Sequence, residues 1–230
     1  MRRRSIWLAM LGAAVALGLV VATAAALSPP PGTPDLSKMT IQAGDLAPGA
    51  KVDAAGYTTP PKNFTAVYDR NFSSAKTPAG LTLFGLDTEV LLGNTEAVAT
   101  GYYALQRRVY GSKAGRSLLK KGLKSLVGKG VTIGDVRFEK LRRLALGSEA
   151  FVQPVLLKVK HINVATDILV LRDGSVASSV SFVLTDPTRT LSTANQLGKD
   201  IVKHITAVLA ASGPSGPTGS SGATGPTGAT

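Results

Sequence analysis

The order of apolar and polar positions divides the chain into an apolar leader, a patterned central region and a polar, glycine-rich tail. In the central region, alternating apolar residues predict strands. The predicted strands cover residues 51–57, 64–72, 81–92, 131–144, 151–159, 164–171 and 176–184. Asp173-Gly174 lies between the last two runs, and an Asp-Gly pair there is typical of a tight β-hairpin turn, which needs a positive φ.

The apolar spacing changes to a helical period in three places, over residues 95–110, 114–127 and 190–210. Asn94 is the expected N-cap of the first helix, because its short polar side chain can accept from a free backbone N–H. Strands, two helices, more strands and a final helix indicate an α+β fold. We expect one domain with a mostly antiparallel sheet, packed by helices on one face.

The first 26 residues have the three parts of a secretory signal peptide. Arg2, Arg3 and Arg4 precede an uncharged apolar run, which ends in small residues. Cleavage is expected between Ala26 and Leu27, which would place the mature protein outside the cell or on its surface. The alternative is an uncleaved transmembrane anchor, since the run is long enough to cross a bilayer. A Pro-rich spacer over 27–35 and a domain over 36–212 follow.

The tail, residues 213–230, repeats glycine at every third position. Only glycine fits at the axis of a collagen triple helix, which explains this spacing. Gly222–Thr230 resembles the threonine-rich collagen-like stretches of bacterial surface proteins. The resemblance implies a structural alternative, in which the domain caps a stalk that trimerises through the tail. No heptad seam accompanies the repeat, so a monomer is favoured.

A second resemblance concerns the domain and would extend over most of residues 36–210. Gly44–Val52, Gly56-Tyr57 and Leu146–Ala150 are similar to uncharacterised exported single-domain proteins of actinobacteria. This resemblance implies export and a single domain, and it implies no activity.

The chain contains no cysteine and has a net charge of +12. The absence of cysteine excludes thiol catalysis, disulfides and Cys-ligated metals. Residues 107–143 hold most of the basic excess, with 12 Lys or Arg against 2 Asp or Glu. The candidate residues for binding an anionic ligand are Arg107, Arg108, Lys113, Lys120, Lys121, Lys124 and Lys129.

Two partners suit this basic helix region, an anionic membrane surface and a cell-wall polymer. Nucleic acid would accept the same charge but is disfavoured by the export signal. The cationic face that could hold such a ligand lies beside tyrosines at 102, 103 and 110. The alternative is a solvated helix face that keeps the protein soluble.

No catalytic motif for nucleophilic or phosphate chemistry occurs in the sequence. His161 and His204 lack metal-ligand spacing, so no metal and no cofactor are predicted. Asp87 and Glu89 lie two residues apart on one predicted strand and could serve a carboxylate-based hydrolase. A solvated sheet face is the preferred interpretation of this pair. The sequence therefore predicts a secreted, non-enzymatic binding module of the cell envelope or surface.

Overall fold

A computed structural model describes residues 28–73, 75–125, 133–159 and 162–212. The cleavage site at Ala26-Leu27, Lys129, His161 and the Gly-X-Y tail lie outside these residues. No helix in the described ranges is long and apolar enough to cross a membrane.

Eight strands form one antiparallel sheet, in the order β1-β2-β5-β10-β9-β8-β6, with β7 also pairing with β8. β3 and β4 form a separate two-stranded sheet. The strands are β1 (Ala54–Thr58), β2 (Phe64–Phe72), β3 (Ala75–Lys76), β4 (Thr82–Leu83), β5 (Leu86–Gly93), β6 (Ile133–Phe138), β7 (Arg142–Leu144), β8 (Glu149–Val159), β9 (Ile162–Asp173) and β10 (Val176–Leu184). The helices are α1 (Glu96–Gly111), α2 (Lys113–Ser125) and α3 (Thr190–Ser212).

The Asp173-Gly174 hairpin is confirmed. β9 and β10 pair along their length, from Val176 opposite Asp173 to Leu184 opposite Ala165. Gly174 has φ of 55°, which is the conformation that the first position of such a two-residue turn requires. This hairpin forms the centre of the sheet.

Both faces of the central strands are apolar. On β9, Leu169 and Leu171 belong to the cluster that contains α3, whereas Val170 packs with Tyr103 and Tyr110 of α1. Successive side chains of a strand point to opposite faces. The sheet therefore has an α3 face and an α1 face, each covered by its own helix.

The α+β class and the mostly antiparallel sheet are confirmed, but the helices do not all lie on one face. The run Ile168–Leu171 is apolar at every position, which is typical of a strand buried on both sides. One layer of helices could not have covered it.

Some element boundaries differ from the expected ones. The N-cap of α1 is Thr95, because the side chain of Asn94 instead accepts a hydrogen bond from Thr65 at 2.7 Å. The expected strand over 81–92 is interrupted between β4 and β5, where the Phe84 N–H donates to the carbonyl of Val183. The expected strand over 131–144 is also two strands, β6 and β7, which pair with different parts of β8.

Candidate functional site

An open cleft of about 460 Å³ runs along one side of α1. Its helical lining residues are Thr100, Tyr103, Ala104, Arg107, Arg108 and Gly111. These positions recur at three- and four-residue intervals, so they share one side of the helix. Glu149, the first residue of β8, forms the opposite wall. Two of the predicted binding residues, Arg107 and Arg108, therefore lie together in one cavity.

The carboxylate of Glu149 is already paired with Arg172. The Arg172 Nε donates to Glu149 Oε2 at 2.7 Å, and its Nη1 donates to Glu96 Oε1 at 3.0 Å. The hydrogen bond that Arg172 donates to Glu149 raises the pKa of this guanidinium. The single charge of Arg172 is shared between Glu149 and Glu96, so it offsets part of the negative charge of the acidic wall. Neither Arg107 nor Arg108 forms an ion pair with a described residue.

The tyrosines of α1 are packing residues, and Tyr103 also lines the cleft. Tyr103 and Tyr110 are buried and pack on Phe151, with ring centroids 5.4 and 6.0 Å from it. Tyr102 packs edge-on against Phe64 at 5.8 Å. Aromatic rings between the helix and the sheet fix the position of α1, and with it the two arginines of the cleft.

Arg143 adds to the positive charge near the cleft, and sequence reasoning left it outside the candidate site. It lies opposite Phe151 in the β7–β8 pairing and is exposed. Burial and Glu149 raise the pKa of Tyr103, whereas Arg107, Arg143 and Arg172 act in the lowering direction. The positive charges of all three guanidinium groups therefore act on the Tyr103 hydroxyl. The sequence could not place Arg143 there, because the register of β7 on β8 brings it to α1.

The predicted lysines of α2 divide into three groups. Lys113 and Lys121 are exposed and form no ion pair with a described residue. Lys120 is 3.7 Å from Asp135 in an exposed pair, which contributes little to stability. The side chain of Lys124 lies outside the described part of the chain, as does Lys129.

Helix α2 turns sharply away from α1 and packs closely on its end. A Cβ on Gly115 would lie 2.0 Å from the carbonyl oxygen of Val109, so only glycine fits there. The Arg116 Nε donates to the carbonyl of Tyr110 at 2.7 Å. This junction sets the direction in which α2 presents Lys113 and Lys121.

Three carboxylates lie together on the other side of α1, against β2 and β5. Asp69 is directly opposite Glu89 in the β2–β5 pairing, and Asp87 is two residues from Glu89. Glu89 accepts hydrogen bonds from Tyr102 and Ser179, both at 3.3 Å. Both oxygens of Asp69 are enclosed, and neither accepts a hydrogen bond of normal geometry from a described residue. Asp87 and Glu89 are half-buried, so they do not form the fully solvated face that was expected.

Burial governs the titration of this acid cluster, which we define as Asp69, Asp87 and Glu89. Burial and, to a smaller extent, the charges of Glu89 and Asp87 raise the pKa of Asp69 to about 7, although a hydrogen bond with Thr58 acts in the lowering direction. Burial also raises the pKa of Asp87 to about 6 and shifts that of Glu89 upward. A carboxyl with such a pKa holds its proton close to neutral pH.

No group of three His, Asp or Glu side chains in the described ranges could hold a metal ion. The one histidine that can be placed, His204, is 2.8 Å from Asp45 and joins α3 to the start of the domain. Its contact with Asp45 is a tertiary one, as expected for a packed histidine.

No protein-family model matches the chain, and no curated protein matches it. Among solved structures, the extracellular domain of PknH from Mycobacterium tuberculosis is similar, with a TM-score of 0.48 and 10% sequence identity. The match covers 76% of this chain and 99% of that chain.

Proposed function

We propose that this protein is a secreted, non-enzymatic module of the cell envelope or surface that binds anionic ligands through its basic helix region. The observation that carries the proposal is the cleft, in which Arg107 and Arg108 are free of acidic partners among the described residues. A guanidinium presents a planar pair of donors that matches phosphate and carboxylate oxygens. The expected ligand therefore carries such groups in a repeated array.

The remaining charges extend the cleft into a wider basic surface. Lys113 and Lys121 project from α2, and Arg143 lies near the wall of the cleft. A ligand that reaches several of these cations would release counterions, so its binding should weaken steeply as salt is added.

Removing the two cleft charges should abolish most of this binding. We expect Arg107→Gln/Arg108→Gln to weaken binding by about tenfold or more at about 50 mM salt, since each basic residue contributes about 1 kcal/mol near an anionic surface. The probes are poly(glycerol phosphate) and vesicles containing phosphatidylglycerol. The protein is the chain from Leu27 onward, in a sedimentation or interferometry assay.

The matched control is Lys199→Gln/Lys203→Gln, which removes the same charge from exposed positions of α3, on the opposite side of the sheet. This control should bind within about twofold of the wild type if the cleft is the site, since α3 and α1 cover opposite faces of the sheet. Equal losses in both variants would show that net charge alone drives binding. Absence of binding by the wild type to both probes would refute the proposed function.

Export can be tested separately. Because the first 26 residues have the pattern of a cleavable signal, N-terminal sequencing of secreted protein should begin at Leu27. Recovery of an intact Met1 terminus in washed membranes would show that residues 6–27 act as an anchor.

A further inference from the structure

Two leucines of the α1–α2 pair are strongly exposed. Leu118 on α2 is 69% exposed and Leu105 on α1 is 58% exposed, against 44% for Leu191 on α3. Two residues along a helix correspond to a rotation of about 200°, so Leu105 points away from the sheet that Tyr103 contacts. The packing of the described domain gives these two side chains no role.

Each leucine has an unpaired cation beside it. Arg108 follows Leu105 by three residues, and Lys121 follows Leu118 by three residues. Residues at this spacing lie next to each other on a helix surface. Neither cation forms an ion pair with a described residue. Leu105, Arg108, Leu118 and Lys121, which we call the leucine–cation surface, thus repeat one apolar–basic unit on two consecutive helices.

We infer that the leucine–cation surface docks on an anionic lipid bilayer, with both leucines inserted below the headgroups and the cations at the level of the phosphates. This inference rests on the proposed function and names the partner of its basic surface. Charge complementarity alone would suit a soluble polyanion equally well. An exposed leucine gains no binding free energy from a hydrated polymer, because its apolar surface stays in water. The interfacial region of a bilayer removes that apolar surface from water, so the leucine contributes to binding there.

Arg108 connects this surface with the cleft, since it also lines the cavity that contains Arg107. A headgroup phosphate bound by the two arginines would therefore lie beside the point where Leu105 enters the bilayer. Contact with a bilayer uses the cations and the exposed leucines together, which explains why both occur on the same two helices.

The test compares vesicles with the soluble polymer. We expect Leu105→Gln/Leu118→Gln to weaken binding to phosphatidylglycerol vesicles by at least about tenfold, since each leucine buried at the interface contributes a factor of this order. Binding to soluble poly(glycerol phosphate) should stay within about twofold, because every charge is retained. Leu191→Gln, an exposed leucine on the opposite side of the sheet, should bind vesicles as the wild type does. Circular dichroism and thermal unfolding confirm that each variant is folded.

Two results would overturn the bilayer inference and leave the proposed function standing. One is wild-type vesicle affinity in the double leucine variant, and the other is binding of the wild type to the polymer without binding to vesicles. A wild type that binds neither probe would refute the proposed function itself, and the bilayer inference with it.

Discussion

The folded protein should be more stable at about pH 5 than at about pH 8, in contrast to proteins whose carboxylates are stabilised by ion pairs. Five carboxyl groups in the described domain have a raised pKa. They are Asp69, Asp87 and Glu89 of the acid cluster, Asp167 beneath α3, and Asp200 on α3. The pKa of Asp167 is about 7 because it is buried, although Thr190 donates to it at 2.8 Å.

The direction of the effect follows from proton binding. An unfolded aspartate has a pKa of 3.8, and Asp69 and Asp167 in the folded state have values of about 7. Between these values the native state binds more protons than the unfolded state, so the free energy of unfolding falls as pH rises. The stabilisation that comes from holding these carboxyls protonated in the folded state is fully present below about pH 4. It is lost as pH rises through about 6 to 7. Asp35, whose pKa is lowered by hydrogen bonds from Ser37, acts in the opposite direction and only at the acidic end.

Asp69→Asn should remove a large part of this dependence. The amide has nearly the same shape and never ionises, so the variant should gain on the order of 1–3 kcal/mol at about pH 8 and little at about pH 5. For a domain of this size the gain corresponds to a rise of several degrees in the melting temperature at the higher pH. Calorimetry at both pH values measures it directly.

Asp135→Asn is the control, because Asp135 is exposed and its one ion pair among the described residues is the surface pair with Lys120. It should change the melting temperature by less than about two degrees at either pH. A wild type whose stability is flat or rises between pH 5 and 8 would contradict the assignment of buried acids. So would an equal gain for Asp69→Asn at both pH values.

Gly115→Ala should destabilise the α1–α2 junction severely. The new methyl group would lie 2.0 Å from the carbonyl oxygen of Val109 and within 3 Å of two more of its backbone atoms. These backbone atoms cannot rotate aside, so α2 must move, at a cost of about 1–3 kcal/mol or more. Lys113 and Lys121 of the basic surface are carried by α2, so ligand binding should weaken as well.

Gly101→Ala is the matched control, since Gly101 lies within α1 and a Cβ there meets no atom within 4 Å. The same exchange should stabilise the protein by about 0.5–1 kcal/mol, because alanine is the better helix former. Thermal unfolding of both variants gives the comparison. A Gly115→Ala variant as stable as the wild type would show that α2 does not pack on α1 in this way.

Much of the fold could be predicted from periodicity. The hairpin at Gly174 and the stripe of Ala194, Leu197 and Ile201 on α3 follow from local patterns that packing then confirms. The placement of helices on both faces was missed, although the unbroken apolar run Ile168–Leu171 indicated two-sided burial.

The candidate site could be predicted only in part, because long-range pairing builds the rest of it. The cations of α1 and α2 are visible in the sequence, but Glu149 reaches the cleft, and Arg143 comes near Tyr103, through the pairing of β7 and β8. Asp87 and Glu89 have the alternation of a solvated face, and the sequence does not show that Tyr102 would cover Glu89. A side chain from a distant part of the chain can thus turn a surface acid into a half-buried one, while the local sequence pattern stays the same.

Backbone hydrogen–deuterium exchange, with and without phosphatidylglycerol vesicles, tests most directly whether the basic helix region is the binding surface. We predict that added vesicles slow exchange over residues 100–121, which include the cleft side of α1 and the exposed cations of α2. Exchange in β1 and α3 should be unchanged. Protection confined to α3 or β1, or no protection at low salt by either vesicles or poly(glycerol phosphate), would contradict the claim that the basic helix region is the binding surface.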